Sequence, residues 1–239
     1  MRKDIFIMRV KVRTLPEDMI EVYTRPELHV ASIWLHGLGV GGADLDGIVT
    51  SMKQCRNLGL HYLAPNAPVR PITVNQGMPC RAWFDIIGDP ELDGVDEQGL
   101  AESCARIHQL LDEEVARGIA AEHILLGGFS QGGSLALHAG LSYPKRLAGI
   151  VALSAEVLLH DQLLAQCHEA NRCTPILMVH GEQDEAVPVG LARQGCQRLI
   201  DAGLSVGWEC YPIGHQVTAD VVSVVDDWAF PLLAGAVAQ

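Results

Sequence analysis

The sequence predicts one α/β domain over residues 1–239, built as a mostly parallel central sheet with helices on both faces. Three observations lead there. Short apolar runs alternate with helix-patterned segments, the order in which crossover helices build a parallel sheet. A chain of 239 residues can bury one large core and lies within the size at which α/β domains stay undivided. With 49% hydrophobic and 19% charged residues, it can fill sheet and helix interfaces together while keeping a wetted surface.

The runs expected as strands are residues 30–35, 60–64, 124–129, 148–153, 176–179 and 206–211. Between the second and third, Leu100, Cys104, Ile107, Leu111 and Val115 recur every three or four residues, with Gly118 just beyond. This predicts an amphipathic helix covering one face of the sheet. Further helical patterns follow Ser130, cover 189–202 and occupy 218–228. Pro231 limits the last, because its ring and missing N–H oppose helix continuation. Residues 5–12 and 21–23 read as edge strands, with a hairpin as one arrangement. Residues 66–98 resist the alternation: they are rich in proline, glycine and acidic side chains, yet hold Trp83, Phe84 and Ile86. Such an excursion either covers a site or merely joins surface elements, and composition does not choose between the two.

A net charge of -12 and a pI near 5.2 repel phosphate backbones and anionic headgroups, so nucleic acid is not an expected partner. The run Ile5-Phe6-Ile7-Met8 is shorter than the apolar core of a secretion signal, and the other apolar runs stop short of the ~18 residues a membrane helix needs. Neither export nor stable membrane insertion is expected. Seven cysteines, odd in number and without a Cys-x-x-Cys pair, read as small apolar core filler in a reducing, cytoplasmic setting. His168, between Cys167 and Cys173, does not by itself define a metal site, and none is expected.

Gly128-Phe129-Ser130-Gln131-Gly132 matches Gly-x-Ser-x-Gly between an apolar strand and a helical run, the setting in which the motif presents a nucleophilic serine. A sharp strand-to-helix turn brings the two backbones close, so the positions two before and two after the serine must lack side chains. A helix-capping role accounts for a serine there but not for the flanking glycines. A serine hydroxyl is a weak nucleophile at neutral pH, so a base is required. In this arrangement the acid and then the histidine come later in the chain. Asp184 lies just after the strand at 176–179, where sites of open α/β sheets collect, with Glu182 and Glu185 as rivals. Beyond Asp184 the sequence holds one histidine, His215, on the loop after the last expected strand. Anion stabilisation calls for two backbone N–H donors: Gln131, which opens the helix, and Leu38, in the His36-Gly37-Leu38-Gly39 turn after the first core strand. Gly37 to Gly42 match no phosphate-loop pattern.

Taken together, Leu35-His36-Gly37-Leu38-Gly39, Ala64-Pro65-Asn66-Ala67-Pro68, Arg81-Ala82-Trp83-Phe84-Asp85, Gly128 to Gly133, His180-Gly181-Glu182-Gln183-Asp184-Glu185-Ala186-Val187-Pro188 and Gly214-His215 resemble the carboxylesterase and acyl-protein thioesterase (phospholipase/carboxylesterase) family, and they occur in the family's order. The resemblance implies an α/β-hydrolase fold and hydrolysis of small or medium acyl esters or thioesters, acylated proteins and lysophospholipids included. It implies no metal or organic cofactor. Ser130, Asp184 and His215 would be the triad, Leu38 and Gln131 the oxyanion donors, and Trp83 would sit beside the acyl pocket with Val187 at its entrance. A homodimer is a further implication. The chain departs from the family pattern at two places: Val40-Gly41-Gly42-Ala43-Asp44 stands for a more usual Ala-Asp-Gly, and Gln216 stands where an acidic residue often follows the histidine. Both departures bear on substrate preference.

Overall fold

In the computed structural model, residues 9–13, 18–88 and 94–235 are described. Ten strands are described: β1 Arg9–Arg13, β2 Met19–Tyr23, β3 Val30–Leu35, β4 Leu60–Pro65, β5 Val69–Ile72, β6 Met78–Arg81, β7 Ile124–Phe129, β8 Gly149–Leu153, β9 Ile176–Gly181 and β10 Val206–Tyr211. The helices are α1 Asp46–Ser51, α2 Glu97–Ala116, α3 Gln131–Ser142, α4 His160–Gln166, α5 Val189–Asp201 and α6 Ala219–Ala234. Eight strands form one sheet in the order β1-β2-β4-β3-β7-β8-β9-β10. From β4 to β10 every neighbouring pair is parallel, while β2 runs antiparallel to both β4 and β1. The two segments thus pair antiparallel in the hairpin arrangement, with Arg13 opposite Met19, but only β1 is an edge strand because β2 also pairs with β4; residues 5–8 of that expectation lie outside the described residues.

Period-2 alternation explains why the strands read as continuous apolar runs. In β3, Ala31, Ile33 and Leu35 face the core beneath α2–α5, whereas Val30 and Trp34 face the layer formed with α1 and α6. Leu126 and Leu125 of β7, and Met178 and Leu177 of β9, divide in the same way. Helices therefore cover both faces. The helix α2 follows its expected pattern: Asp96 caps it by accepting from the Gly99 N–H at 2.9 Å, and Leu100, Ile107, Leu110 and Leu111 are buried. Gly118 ends the segment at φ 104°, a conformation that costs glycine little.

Three expectations need correcting. The last helix does not stop before Pro231 but runs to Ala234, because the exposed proline loses only one donor while Leu233 beyond it is fully buried. Residues 66–98 are not wholly irregular, since β5 and β6 pair as an antiparallel hairpin. Cysteine as core filler holds for Cys55 and Cys196, but Cys173 is exposed; all seven are free thiols.

The order of strands positions the site. From β3 the chain moves to β4 on one side and then crosses to β7 on the other, so the connections leaving β3 and β7 diverge and open a crevice at their carboxyl ends.

Candidate active site

Ser130 sits between β7 and α3 at φ 56° and ψ -124°, a positive φ for a residue with a side chain, whose strain is of order 1–3 kcal/mol. Its backbone is tied down on both sides. The Ser130 N–H donates to the Leu153 carbonyl at 2.8 Å, and the Ser130 carbonyl accepts from the N–H groups of Gly133 and Ser134 at 2.9 and 3.1 Å. A Cβ on Gly128 would lie 2.2 Å from the Gly132 carbonyl oxygen, and one on Gly132 would lie 2.1 Å from that of Leu35. Only glycine fits at these two positions, as the strand-turn-helix reading of the pentapeptide requires.

The Ser130 hydroxyl lies 3.0 Å from His215 Nε2, and His215 Nδ1 lies 2.8 Å from Asp184 Oδ2. The carboxylate can only accept there, so Nδ1 carries the hydrogen and Nε2 is left to accept from the serine. Asp184 Oδ1 accepts from the N–H groups of Ala186 and Val187 at 3.0 and 2.8 Å. Burial works to raise the Asp184 pKa, but the Val187 N–H and the His215 ring outweigh it and hold the carboxyl below the usual carboxylate range. Its rivals Glu182 and Glu185 are exposed, whereas Asp184 is buried.

A second histidine, quoted in the 180–188 motif but given no role there, completes the surroundings of Asp184. His180, at the end of β9, donates from Nε2 to the Val187 carbonyl at 2.9 Å and approaches Asp184 Oδ2 at 3.4 Å. Burial lowers its pKa, so it stays neutral and leaves the Asp184 charge to His215.

The turn after β3 is held against Ser130. A Cβ on Gly37 would lie 3.3 Å from that of Ser130. His36, fully buried, accepts at Nε2 from the Ala67 N–H at 2.9 Å; its Nδ1–H therefore donates to the Gly37 carbonyl at 2.7 Å. Burial lowers the pKa of this ring, which agrees with one nitrogen acting as donor and the other as acceptor. The Gly39 N–H donates to the Arg81 carbonyl at 2.8 Å, and the Gly42 N–H to Asn66 Oδ1 at 2.8 Å. Among the described residues, the N–H groups of Leu38 and Gln131 meet no protein carbonyl. The turn around residues 36–39, the Asn66-Ala67 stretch and the segment at 81–84 are thus one hydrogen-bonded unit, which is why these motifs occur together.

The side chain of Gln131 joins that unit to α3, a role the sequence did not suggest. Its Oε1 accepts from the Trp83 N–H at 2.9 Å and its Nε2 donates to the Phe84 carbonyl at 2.8 Å, in a nearly fully buried position. Truncation leaves both buried backbone groups unpaired at a cost of about 1–3 kcal/mol each. We expect Gln131→Ala to lose about 2 kcal/mol or more of stability in urea unfolding while retaining its backbone N–H.

A cavity of about 530 Å³ opens at Ser130, within the usual range of small-molecule sites. Leu38, Gln131 and His215 line it beside the serine; Phe84, Ile86, Val95, Leu158 and Val187 give it an apolar wall. Val187 thus lines the cavity. Trp83 does not: it is fully buried behind the wall, its Nε1–H donating to the His36 carbonyl at 2.8 Å, and its neighbours Phe84, Asp85 and Ile86 reach the cavity instead. Trp83 braces the turn at residues 36–39. Of the two readings of residues 66–98, the one in which they build a site fits this placement.

A family model described as phospholipase/carboxylesterase matches residues 19–228. The chain is 33% identical over 210 residues to carboxylesterase SOBER1 of Arabidopsis thaliana, covering 85% of this chain and 90% of that protein. It is 35% identical over 215 residues to acyl-protein thioesterase 1 of Gibberella zeae, covering 86% and 92%. Its structure superposes on crystal structures of Arabidopsis SOBER1 (TM-score 0.80, 33% identity, 85% of this chain and 99% of that one) and of Zea mays acyl-protein thioesterase 2 (TM-score 0.79, 25% identity, 90% and 98%). With the strand order, the glycine-flanked serine turn and these matches in agreement, the chain belongs to the phospholipase/carboxylesterase family of α/β-hydrolases.

Proposed function

We propose that the chain hydrolyses carboxylic esters of small or medium acyl chains through an acyl-enzyme, with Ser130 as nucleophile, His215 as proton carrier and Asp184 as the orienting acid. The unbroken line from the Ser130 hydroxyl through His215 to Asp184, at 3.0 and 2.8 Å, carries this reading. As the serine oxygen bonds to the acyl carbon, its proton passes to His215 Nε2, and the carbonyl oxygen takes up negative charge between the N–H groups of Leu38 and Gln131. The intermediate collapses as the bond to the leaving oxygen or sulfur breaks and Nε2 returns the proton to that atom. Water then repeats the sequence and frees the acid. Every group this scheme needs is supplied by the chain itself. The apolar wall, Val187 included, accepts an acyl chain.

Thioesters, including those of acylated proteins, form a second substrate class in this reading. The acyl-protein thioesterases among its relatives support it. No helix of the described residues is long and apolar enough to cross a membrane, so such substrates would be met at a surface or in water. The homodimer and the cytoplasmic setting belong to this reading too, the latter supported by seven free thiols.

A fluorophosphonate probe tests the reading directly. Mass spectrometry should find a single adduct on Ser130, and an Asp184→Asn variant should label far more slowly. A folded chain that stays unlabelled is a binding module and not an esterase.

A further inference from the structure

A second cavity, of about 390 Å³, adjoins the first across the rings of His215 and Phe129, whose centroids are 4.7 Å apart. Val40, Phe129 and His215 line both cavities, whereas Ser130, Leu38 and Gln131 line only the first. A substrate with its carbonyl at Ser130 therefore reaches the second cavity only with atoms that lie past the imidazole. The proton held at His215 Nε2 is delivered to the departing oxygen or sulfur, so the group attached to that atom must lie alongside this ring. The first cavity, mostly apolar though lined also by Asp85 and Glu156, and adjoining the proposed oxyanion donors, suits the acyl chain.

We propose that the second cavity is the leaving-group subsite, and that it favours alcohols or thiols carrying a positive charge over neutral ones of the same shape. The proposal rests on the triad reading above. The sign of the charge comes from the wall. Asp44 is its one carboxylate, and no lysine or arginine lines it. Asp44 Oδ2 accepts from the Gly41 N–H at 2.8 Å, and among the described residues the side chain has no cationic partner. Ile48, Val217 and Val222 supply apolar contact for the body of a leaving group. Both departures from the family pattern fall here as well: Val40 and Asp44 from one and Gln216 from the other line this cavity. Two sequence changes far apart in the chain thus alter one wall.

The test holds the acyl group constant and varies what leaves. We would measure kcat/KM for the butyrate esters of methanol, 3,3-dimethylbutanol and choline, the last two matched in shape but not in charge, each normalised to its rate of alkaline hydrolysis. Wild type should prefer choline over dimethylbutanol by about threefold, the scale of one exposed charge pair, and the preference should shrink in high salt. Asp44→Asn, which keeps an acceptor for the Gly41 N–H, should bring that ratio close to one. Gly47 lines the same cavity, and a Cβ there meets nothing within 4 Å, so Gly47→Leu adds bulk at the cavity wall with room for its Cβ. It should lower the ratio of bulky to methyl ester at least fivefold. Ratios unmoved by both variants would overturn the subsite. So would a Gly47→Leu variant whose altered profile follows acyl length across methyl acetate, butyrate and octanoate, since the acyl chain would then occupy this cavity. If wild type cleaves none of the esters, or Ser130→Ala cleaves them equally well, the triad reading fails first and takes the subsite with it.

Discussion

Ser130→Ala is expected to lower kcat for a short-chain aryl ester by at least about 10⁴-fold while the protein stays folded. The hydroxyl is the atom that would join the acyl carbon, and no nearby group can replace it: His215 Nε2, 3.0 Å away, would be left facing a methyl group. The residual rate would come from the cavity and the two N–H donors acting on water. Stability should change little, because the serine side chain makes no capping bond to α3, and alanine meets the same strain at φ 56° as serine does. The check is turnover alongside a circular dichroism melt. A variant with wild-type turnover would remove Ser130 from the chemistry.

The largest effect on stability is expected at a residue with no chemistry of its own. Gly132→Ala places a methyl group 2.1 Å from the Leu35 carbonyl oxygen and 2.5 Å from that of His36. Both neighbours are backbone, so neither can swing away; the start of α3 must separate from the end of β3. Overpacking of this kind costs about 3 kcal/mol or more, well above the roughly 1 kcal/mol that alanine gains over glycine inside a helix. Activity should fall with stability, since the displaced stretch leads directly into Leu38. Gly190→Ala is the control: that glycine is exposed in α5, and nothing lies within 4 Å of its Cβ position. It should leave the urea midpoint unchanged or raise it. Equal midpoints for Gly132→Ala and the wild type would mean that strand and helix do not approach as closely as the glycine implies.

The sequence displayed its proposed catalytic order more openly than its pocket, for physical reasons. Gly-x-Ser-x-Gly is a local steric requirement, so strand, turn and helix must all agree with it within a few residues. The acid and base then follow at strand ends in an order imposed by the topology, and a lone histidine after Asp184 left little choice. The apolar runs of β3, β7, β8 and β9 were legible because strands covered on both faces need no polar alternation. The pocket wall was not, because neighbouring residues in an irregular segment point in opposite directions with no period to follow. Trp83 turned inward to the His36 carbonyl, and Phe84 took the cavity side.

Read alone, the residues therefore determined the fold class, the tight turn at Ser130 and two side chains of the proposed triad, Ser130 and His215. The choice of Asp184 over Glu182 and Glu185 needed three dimensions, because only Asp184 is buried beneath two backbone N–H groups and the His215 ring. The pairing of His61 with Glu114 at 2.7 Å, between β4 and α2, has the same character. So does the hold of Gln131 on the segment at 83–84. The last two join atoms some 50 residues apart along the chain. Local propensity acts over a few residues, whereas such contacts exist only after the sheet has brought distant segments together.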